Sequence, residues 1–260
     1  MSEYDDILLD VADGVATITI NRPEHGNKFT DHTALELADV LRRFRAEPDW
    51  RVAVLTGSGE KFFCIGGEHD KPVSRHDYSQ VMPIVDVYEL IDTVAKPVLA
   101  AVNGFAVGGG HVLHVVCDIS IASENAVFRQ VGPSVGSFDP GYGTWYLEDT
   151  IGRKRAKEMW YFNRKYTAAQ ALEMGLVNEV VPADRLREHV HGLAIELQRR
   201  GPGALAALKT AFSARNHGVS GQARLGHDQL LTYYLTTEEH EEMSASFAER
   251  RSPNPERFLR

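Results

Sequence analysis

An apolar run, Pro97-Val98-Leu99-Ala100-Ala101-Val102, is followed within a few positions by Gly104 and then by the triplet Gly108-Gly109-Gly110. The run reads as a buried strand, and Val112-Leu113-His114-Val115-Val116-Cys117 beyond the triplet reads as a short buried helix. Three glycines at a strand-to-helix turn let a ligand approach the backbone closely. They also leave free N–H groups at a helix N-terminus, where the helix dipole suits an oxygen that carries or develops negative charge. Taken alone, the triplet would be read first as a device for a sharp turn.

A second glycine site, Gly66-Gly67, follows Phe62-Phe63-Cys64, which reads as a short strand. Two amides from separate turns converging on one oxygen would form an oxyanion hole. Asp139 is the conspicuous acid nearby, in an otherwise uncharged segment between Phe138 and Pro140. A carboxylate held against apolar neighbours is suited to moving protons near neutral pH. The competing role for Asp139 is that of a helix N-cap or turn former ahead of Gly141-Tyr142-Gly143.

The rest of the chain supplies an α/β frame. Ile7–Val11 and Val15–Asn21 read as strands joined at Asp13-Gly14, a hairpin signal. A helix is expected over Asp31–Arg45 with Leu37, Val40, Leu41 and Phe44 on its apolar face, then a strand at Val52–Thr56 covered on both sides. The polar stretch from Gly67 to about Tyr78 reads as a mobile loop suited to substrate selection. A helix carrying Val85, Tyr88 and Ile91, and a strand at Asp118–Ala122, extend a loose recurrence of two strands and a helix. Beyond residue 150 the chain reads as mostly helical. Thr167-Ala168-Ala169-Gln170 is a capping box and Gly175 a stop, with further helices over Asp184–Arg200, Gly203–Arg215, Gly221–Tyr234 and from Thr236, where Glu239 completes another box.

Composition narrows the function. Asp and Glu outnumber Lys and Arg, 36 to 28, for a net charge of −8. This argues against nucleic acid as a partner. Cys64 and Cys117 sit in apolar surroundings, as buried thiols of a reducing compartment would. The acidic N-terminus has no signal-peptide core, and no apolar run reaches membrane-spanning length, so a cytoplasmic protein without a membrane partner is expected. Nucleotide-binding glycine patterns fail, and no Cys/His cluster has zinc spacing. His111 and His114 could ligate a metal, but without a third ligand core histidines are expected, and no metal is.

At this point the chain resembles the crotonase (enoyl-CoA hydratase/isomerase) superfamily over nearly its whole length. The resemblance is carried by Asn21-Arg22-Pro23, Asn27, Phe63-Cys64-Ile65-Gly66-Gly67, Lys96-Pro97-Val98, the segment Gly104–Asp118, and Ala171-Leu172-Glu173-Met174-Gly175-Leu176-Val177. It implies a spiral of ββα repeats, with residues 1–200 as the acyl-CoA-binding core and 201–260 as a helical region that forms trimers, often paired into hexamers. It implies coenzyme A as the substrate's carrier with no other cofactor. It also implies that the amides of Gly67 and Gly109 hold the thioester oxygen, with Gly26, Lys28, Cys64, Gly66, Gly108, Gly132, Thr144 and Arg250 along the substrate and CoA site. Arg250 and Arg251 would lie near a neighbour's CoA phosphates, or else are solvated charges at a helix end.

The two glutamates that enoyl-CoA hydratases use on water fall at Val112 and Gly132, so ordinary hydration is not expected. The segment from Gln130 to Thr144 is similar instead to a subgroup containing 2-ketocyclohexanecarboxyl-CoA hydrolase and 1,4-dihydroxy-2-naphthoyl-CoA synthase. Its aspartate matches Asp139, and its C-terminal tyrosine, commonly delivered by a neighbouring subunit, matches Tyr234. Gly108–His114 looks more like the synthase. Gly26 and Thr30 replace synthase arginines, and Val131, Pro140 and Thr144 look more like the hydrolase. The expectation is therefore hydrolytic C–C cleavage of a cyclic β-ketoacyl-CoA, with ring closure as the first alternative and another activity of the enoyl-CoA hydratase/isomerase family behind it. A silent acyl-CoA binder is the reading of a different class, against which Asp139 and Tyr234 stand.

Overall fold

A computed structural model describes residues 3–68, 82–135, 137–139, 141–218 and 237–258. Strands β1 (Ile7–Ala12) and β2 (Val15–Ile20) pair antiparallel from Ile7↔Ile20 to Ala12↔Val15. Both turn residues, Asp13 (φ 52°) and Gly14 (φ 75°), are left-handed, as the tight hairpin turn demands. Helix α1 (Asp31–Ala46) starts at Thr30, whose hydroxyl accepts the Thr33 amide while the Thr33 hydroxyl accepts the Thr30 amide. Its buried Leu37, Val40, Leu41 and Phe44 form the face expected from their spacing.

The chain then passes repeatedly between two sheets. Strands β3 (Val52–Gly57), β5 (Val98–Val102) and β7 (Ile119–Ser123) join the larger one, in the order β1-β2-β3-β5-β7-β10, where β10 is Glu179–Val181. Strands β4 (Phe62–Cys64), β6 (Phe105–Val107) and β8 (Val127–Arg129) pair in parallel in the smaller one, and β9 (Tyr166–Thr167) closes it antiparallel to β8. Helices α2 (Pro83–Thr93), α3 (Gly109–Val116) and α4 (Tyr142–Ile151) follow these strand pairs in turn. This is the spiral of ββα units anticipated above.

Both faces of the larger sheet are covered. On one, Val15, Val52, Val54, Leu99 and Ile121 pack with Leu186, Val190 and Ala194 of α7 (Leu186–Leu197). On the other, Ile18, Leu55, Val98 and Ala100 share a core with Phe44, Phe63, Leu113, Phe128 and Leu147. Burial on both faces explains why β3 and β5 are continuous apolar runs. Helices α5 (Arg153–Phe162) and α6 (Ala168–Met174) complete this part; α6 has the expected capping box at Thr167 and Gln170 and a left-handed Gly175 (φ 76°) at its end.

The chain divides into two compact units after Leu205, within α8 (Pro202–Ala214). In the second unit, α9 (Glu238–Ala248) begins later than expected: the Thr237 hydroxyl accepts the His240 amide, while Thr236 lies outside the described residues. The helix expected over 221–234, most of the polar loop after Gly67, and Tyr234 also lie outside them. The helix expected over Asp184–Arg200 is shorter, because Ala183–Arg185 forms a 3-10 turn ahead of α7. Among the described residues no helix is long and apolar enough to cross a membrane.

Candidate active site

Strands β4 and β6 lie side by side in the smaller sheet, paired from Phe62↔Phe105. Each ends in a glycine turn. Gly66 (φ 105°) and Gly108 (φ 55°) take backbone conformations open to glycine, and each directly precedes an expected donor. The turns touch: a Cβ on Gly66 would lie 3.5 Å from the Gly109 nitrogen and 3.4 Å from the Val107 oxygen. Gly67 bridges to Phe29, but the bridge uses the amide of Phe29 (to the Gly66 carbonyl, 3.0 Å) and that of Glu68 (to the Phe29 carbonyl, 2.8 Å). The Gly67 amide is thereby outside the ladder. The Gly109 amide, at the first position of α3, is outside the helix's own hydrogen bonds. Gly67 is exposed and Gly109 half-buried, so both can be reached.

Close packing fixes this pair. A Cβ on Gly110 would lie 1.9 Å from the Cys64 carbonyl oxygen, so only glycine lets α3 sit on β4. The Phe29 ring underlies both donors: a Cβ on Gly67 would meet its Cε2 at 2.8 Å and one on Gly109 its Cζ at 2.7 Å. Cys64 is wholly enclosed and burial pushes its thiol up to about 12, so it supports the turn as a neutral group. Phe29 and Tyr88 are site residues that sequence reasoning missed. Tyr88, on the apolar face of α2 and 3 % exposed, donates from its hydroxyl to the Gly109 carbonyl (3.2 Å). Burial first, then the nearby Asp139 charge, holds its phenol well above the usual range, so it is a neutral donor. The available signal was a tyrosine where an aliphatic side chain would have filled the same helix face.

Asp139 braces the start of α4: its Oδ1 accepts the amides of Gly141 and Gly143, both at 2.9 Å. The turn-former alternative is therefore realised, with Gly141 itself as the N-cap of α4, whatever else the carboxylate does. The Asp139 side chain and Val112, where the resemblance leads one to expect a hydratase glutamate, both flank Gly143. A Cβ on Gly143 would be 2.8 Å from Val112 Cγ2 and 3.0 Å from Asp139 Cβ and Cγ. At the other position, a Cβ on Gly132 would lie 2.6 Å from the Ser137 carbonyl oxygen and 3.0 Å from Trp160 Cζ3, so the loop has no room for a longer side chain. The rings of Tyr88 and Tyr142 (5.6 Å apart), and of Tyr142 and Tyr146 (5.6 Å, stacked), continue from the same place along α4.

The remaining expected residues are more peripheral in what they contact. Gly26 (φ 67°) closes a 3-10 turn against Ile65, Lys28 pairs with Glu68 (3.4 Å), and the Thr144 hydroxyl donates to the Gly141 carbonyl (3.2 Å). In the second unit Arg250 is exposed with a left-handed backbone (φ 53°). Arg251 is paired with Glu242 and Glu249. His111 and His114 are fully buried, with Nδ1 atoms on Gln130 (3.1 Å) and the Ser120 hydroxyl (3.2 Å), as core histidines; their Nε2 atoms have no partner among the described residues.

The fold is shared with known proteins. The family model for enoyl-CoA hydratase/isomerase matches residues 10–257. Among solved structures, an enoyl-CoA hydratase from Bacillus anthracis is 32% identical with a TM-score of 0.76, covering 96% of this chain and 98% of that one. DspI of Pseudomonas aeruginosa is 25% identical with a TM-score of 0.80, over 97% and 98% of the two chains. An enoyl-CoA hydratase from Mycobacterium smegmatis is 28% identical with a TM-score of 0.77, over 96% and 98%. The chain belongs to the enoyl-CoA hydratase/isomerase family.

Proposed function

We propose that the protein is an acyl-CoA enzyme that opens a cyclic β-ketoacyl-CoA by hydrolytic C–C cleavage. The observation that carries this reading is a carboxylate, Asp139, flanking Gly143 together with Val112, with no carboxylate at Val112 or Gly132 themselves. Asp139 takes a proton from water as the water oxygen attacks the ring ketone. The tetrahedral adduct collapses by breaking the bond between the former ketone carbon and the α-carbon. That electron pair becomes a thioester enolate, whose oxygen rests on the Gly67 and Gly109 amides. Asp139 returns its proton to the α-carbon, and the product is a chain-opened acyl-CoA with a new carboxyl group at its far end. Tyr234 is assigned the hydrogen bond to the ring ketone, from a neighbouring subunit of a trimer or hexamer built through residues 201–260; Arg250 would face that neighbour's CoA.

The turn geometry supplies a clean test. Asp139→Asn keeps an Oδ1 for the Gly141 and Gly143 amides but removes the base, so acyl-CoA binding and thermal stability should hold while turnover falls by a factor of ~10²–10⁴. Asp139→Ala removes that acceptor as well and should also cost about 1 kcal/mol of stability. Turnover of Asp139→Asn within a few-fold of wild type defeats this mechanism. A parallel screen of cyclic β-ketoacyl-CoAs and o-succinylbenzoyl-CoA separates ring opening from ring closure, and binding without turnover of either favours a silent binder.

A further inference from the structure

Helix α3 is only eight residues long, begins with two glycines, and has Gly108 as an N-cap without a side chain. The Val112 amide bonds the Gly108 carbonyl (3.1 Å) and the Gly108 amide bonds the Arg129 carbonyl (3.0 Å), so the turn is held on that side, and contacts on the side of the Gly109 carbonyl complete its placement. Gly110 against Cys64 and Phe29 against Gly109 are steric limits: they prevent inward movement but give no direction. Tyr88 supplies direction, with an O–H···O bond to the Gly109 carbonyl from a helix anchored by buried Ile84, Val87 and Ile91. A buried hydroxyl costs stability unless it is bonded, and a phenylalanine would pack the same face without that cost. The Asp139 carboxylate is near enough to Tyr88 for its charge to act on the phenol.

We infer that Tyr88 is a positioning residue of the oxyanion hole: by holding the Gly109 carbonyl, its hydroxyl sets the first turn of α3 where the Gly109 amide meets a thioester oxygen. This rests on the reading of Gly67 and Gly109 as the hole, and not on which ring is opened. Burial keeps the phenol protonated, so the tether persists across the working pH range.

The test uses 4-dimethylaminocinnamoyl-CoA, a push–pull thioester whose absorption moves to the red when its carbonyl oxygen is held by hydrogen-bond donors. The wild type should bind it with a red shift. Tyr88→Phe should bind it within about three-fold while losing at least half of the shift, and kcat on the natural substrate should fall by a factor of ~10 or more with KM little changed, because the loss is one of donor placement. Should that variant fail to fold, 4-fluorophenylalanine at position 88 fills the hydroxyl's space without a donor and must reproduce the loss. 3-Fluorotyrosine, which keeps the donor, must restore the shift. A wild-type shift that survives both donor-less side chains overturns the role of Tyr88. A wild type that binds the probe without a shift defeats the oxyanion-hole reading itself, and the inference with it.

Discussion

Gly110→Ala probes the packing that places the hole. The added Cβ would lie 1.9 Å from the Cys64 carbonyl oxygen, 2.5 Å from its carbon and 2.8 Å from the Cys64 Cβ, where ordinary contact begins at 3.4 Å. The obstacle is chiefly the backbone at the end of β4, so no side-chain rotation relieves it, and α3 must withdraw from β4 by about 1.5 Å. The Gly109 amide moves with it, out of the narrow range of about 2.7–3.1 Å over which an oxyanion donor is effective. Losing one such donor costs ~10²–10³ in kcat, and the overpacking itself costs ~1–3 kcal/mol of stability. The assay pairs turnover and the red shift of bound 4-dimethylaminocinnamoyl-CoA with a urea unfolding curve. Gly192→Ala is the control: it lies within α7 with nothing inside 4 Å of its added Cβ, and should gain ~0.5–1 kcal/mol with activity unchanged. A folded Gly110→Ala protein with a wild-type red shift and wild-type turnover would refute the claim that contact between α3 and β4 sets the hole.

Two further outcomes concern stability. Burial pushes His111 down to about 3 and His114 well below its usual value, so below pH 6.5 the unfolded chain takes up protons that the folded one refuses. Stability should be full above that pH and fall as the pH drops, by about 2 kcal/mol at pH 5 from His111 alone; the fall in urea midpoint from pH 7 to pH 5 should shrink in His111→Leu, and an unchanged fall would contradict this. Asn27, buried at φ 52°, accepts the Arg22 amide (3.0 Å) and donates to the carbonyls of Ser58 (2.9 Å) and Phe62 (2.7 Å). Asn27→Ala should therefore lose roughly 3–5 kcal/mol, read as a lower urea midpoint at unchanged slope.

Local rules were enough where local chemistry decides. Asp13-Gly14 announced its turn because both residues must be left-handed, and Thr167 with Gln170 announced a helix start because the two side chains satisfy amides that the helix leaves open. The alternative roles of Asp139 were also legible, since an acid two and four residues ahead of small residues at a helix start is a turn former before it is anything else. Apart from β4, the short strands were not legible. β6, β8 and β10 are three residues each, too short to show an alternation, and they are strands only because distant partners pair with them. Tyr88 read as one more apolar residue of a helix face, because the carbonyl it serves belongs to a turn twenty-one positions on.

The pairing of β4 with β6 is what turns two ordinary glycine turns into one site. Parallel neighbours run the same way, so the turns leaving them emerge on the same edge of the sheet, side by side. An antiparallel pair would send them to opposite ends. Because β4 and β6 occupy successive passes of the spiral, Gly66-Gly67 and Gly108-Gly109 arrive at that edge together, each with a positive-φ glycine turning the following amide outward. The remaining freedom is the spacing between the turns, and three contacts set it: Gly110 on the Cys64 backbone, the Phe29 ring beneath both donors, and the Tyr88 hydroxyl on the Gly109 carbonyl. None of these touches the chemistry that would distinguish ring opening from ring closure or hydration. In the proposed function that choice would fall to side chains near the hole, with no carboxylate at Val112 or Gly132 and with Asp139 fixed by the start of α4. On the proposed function, the same backbone would stabilise a thioester enolate in every case, while the position of a single carboxylate would determine which bond the enolate comes from.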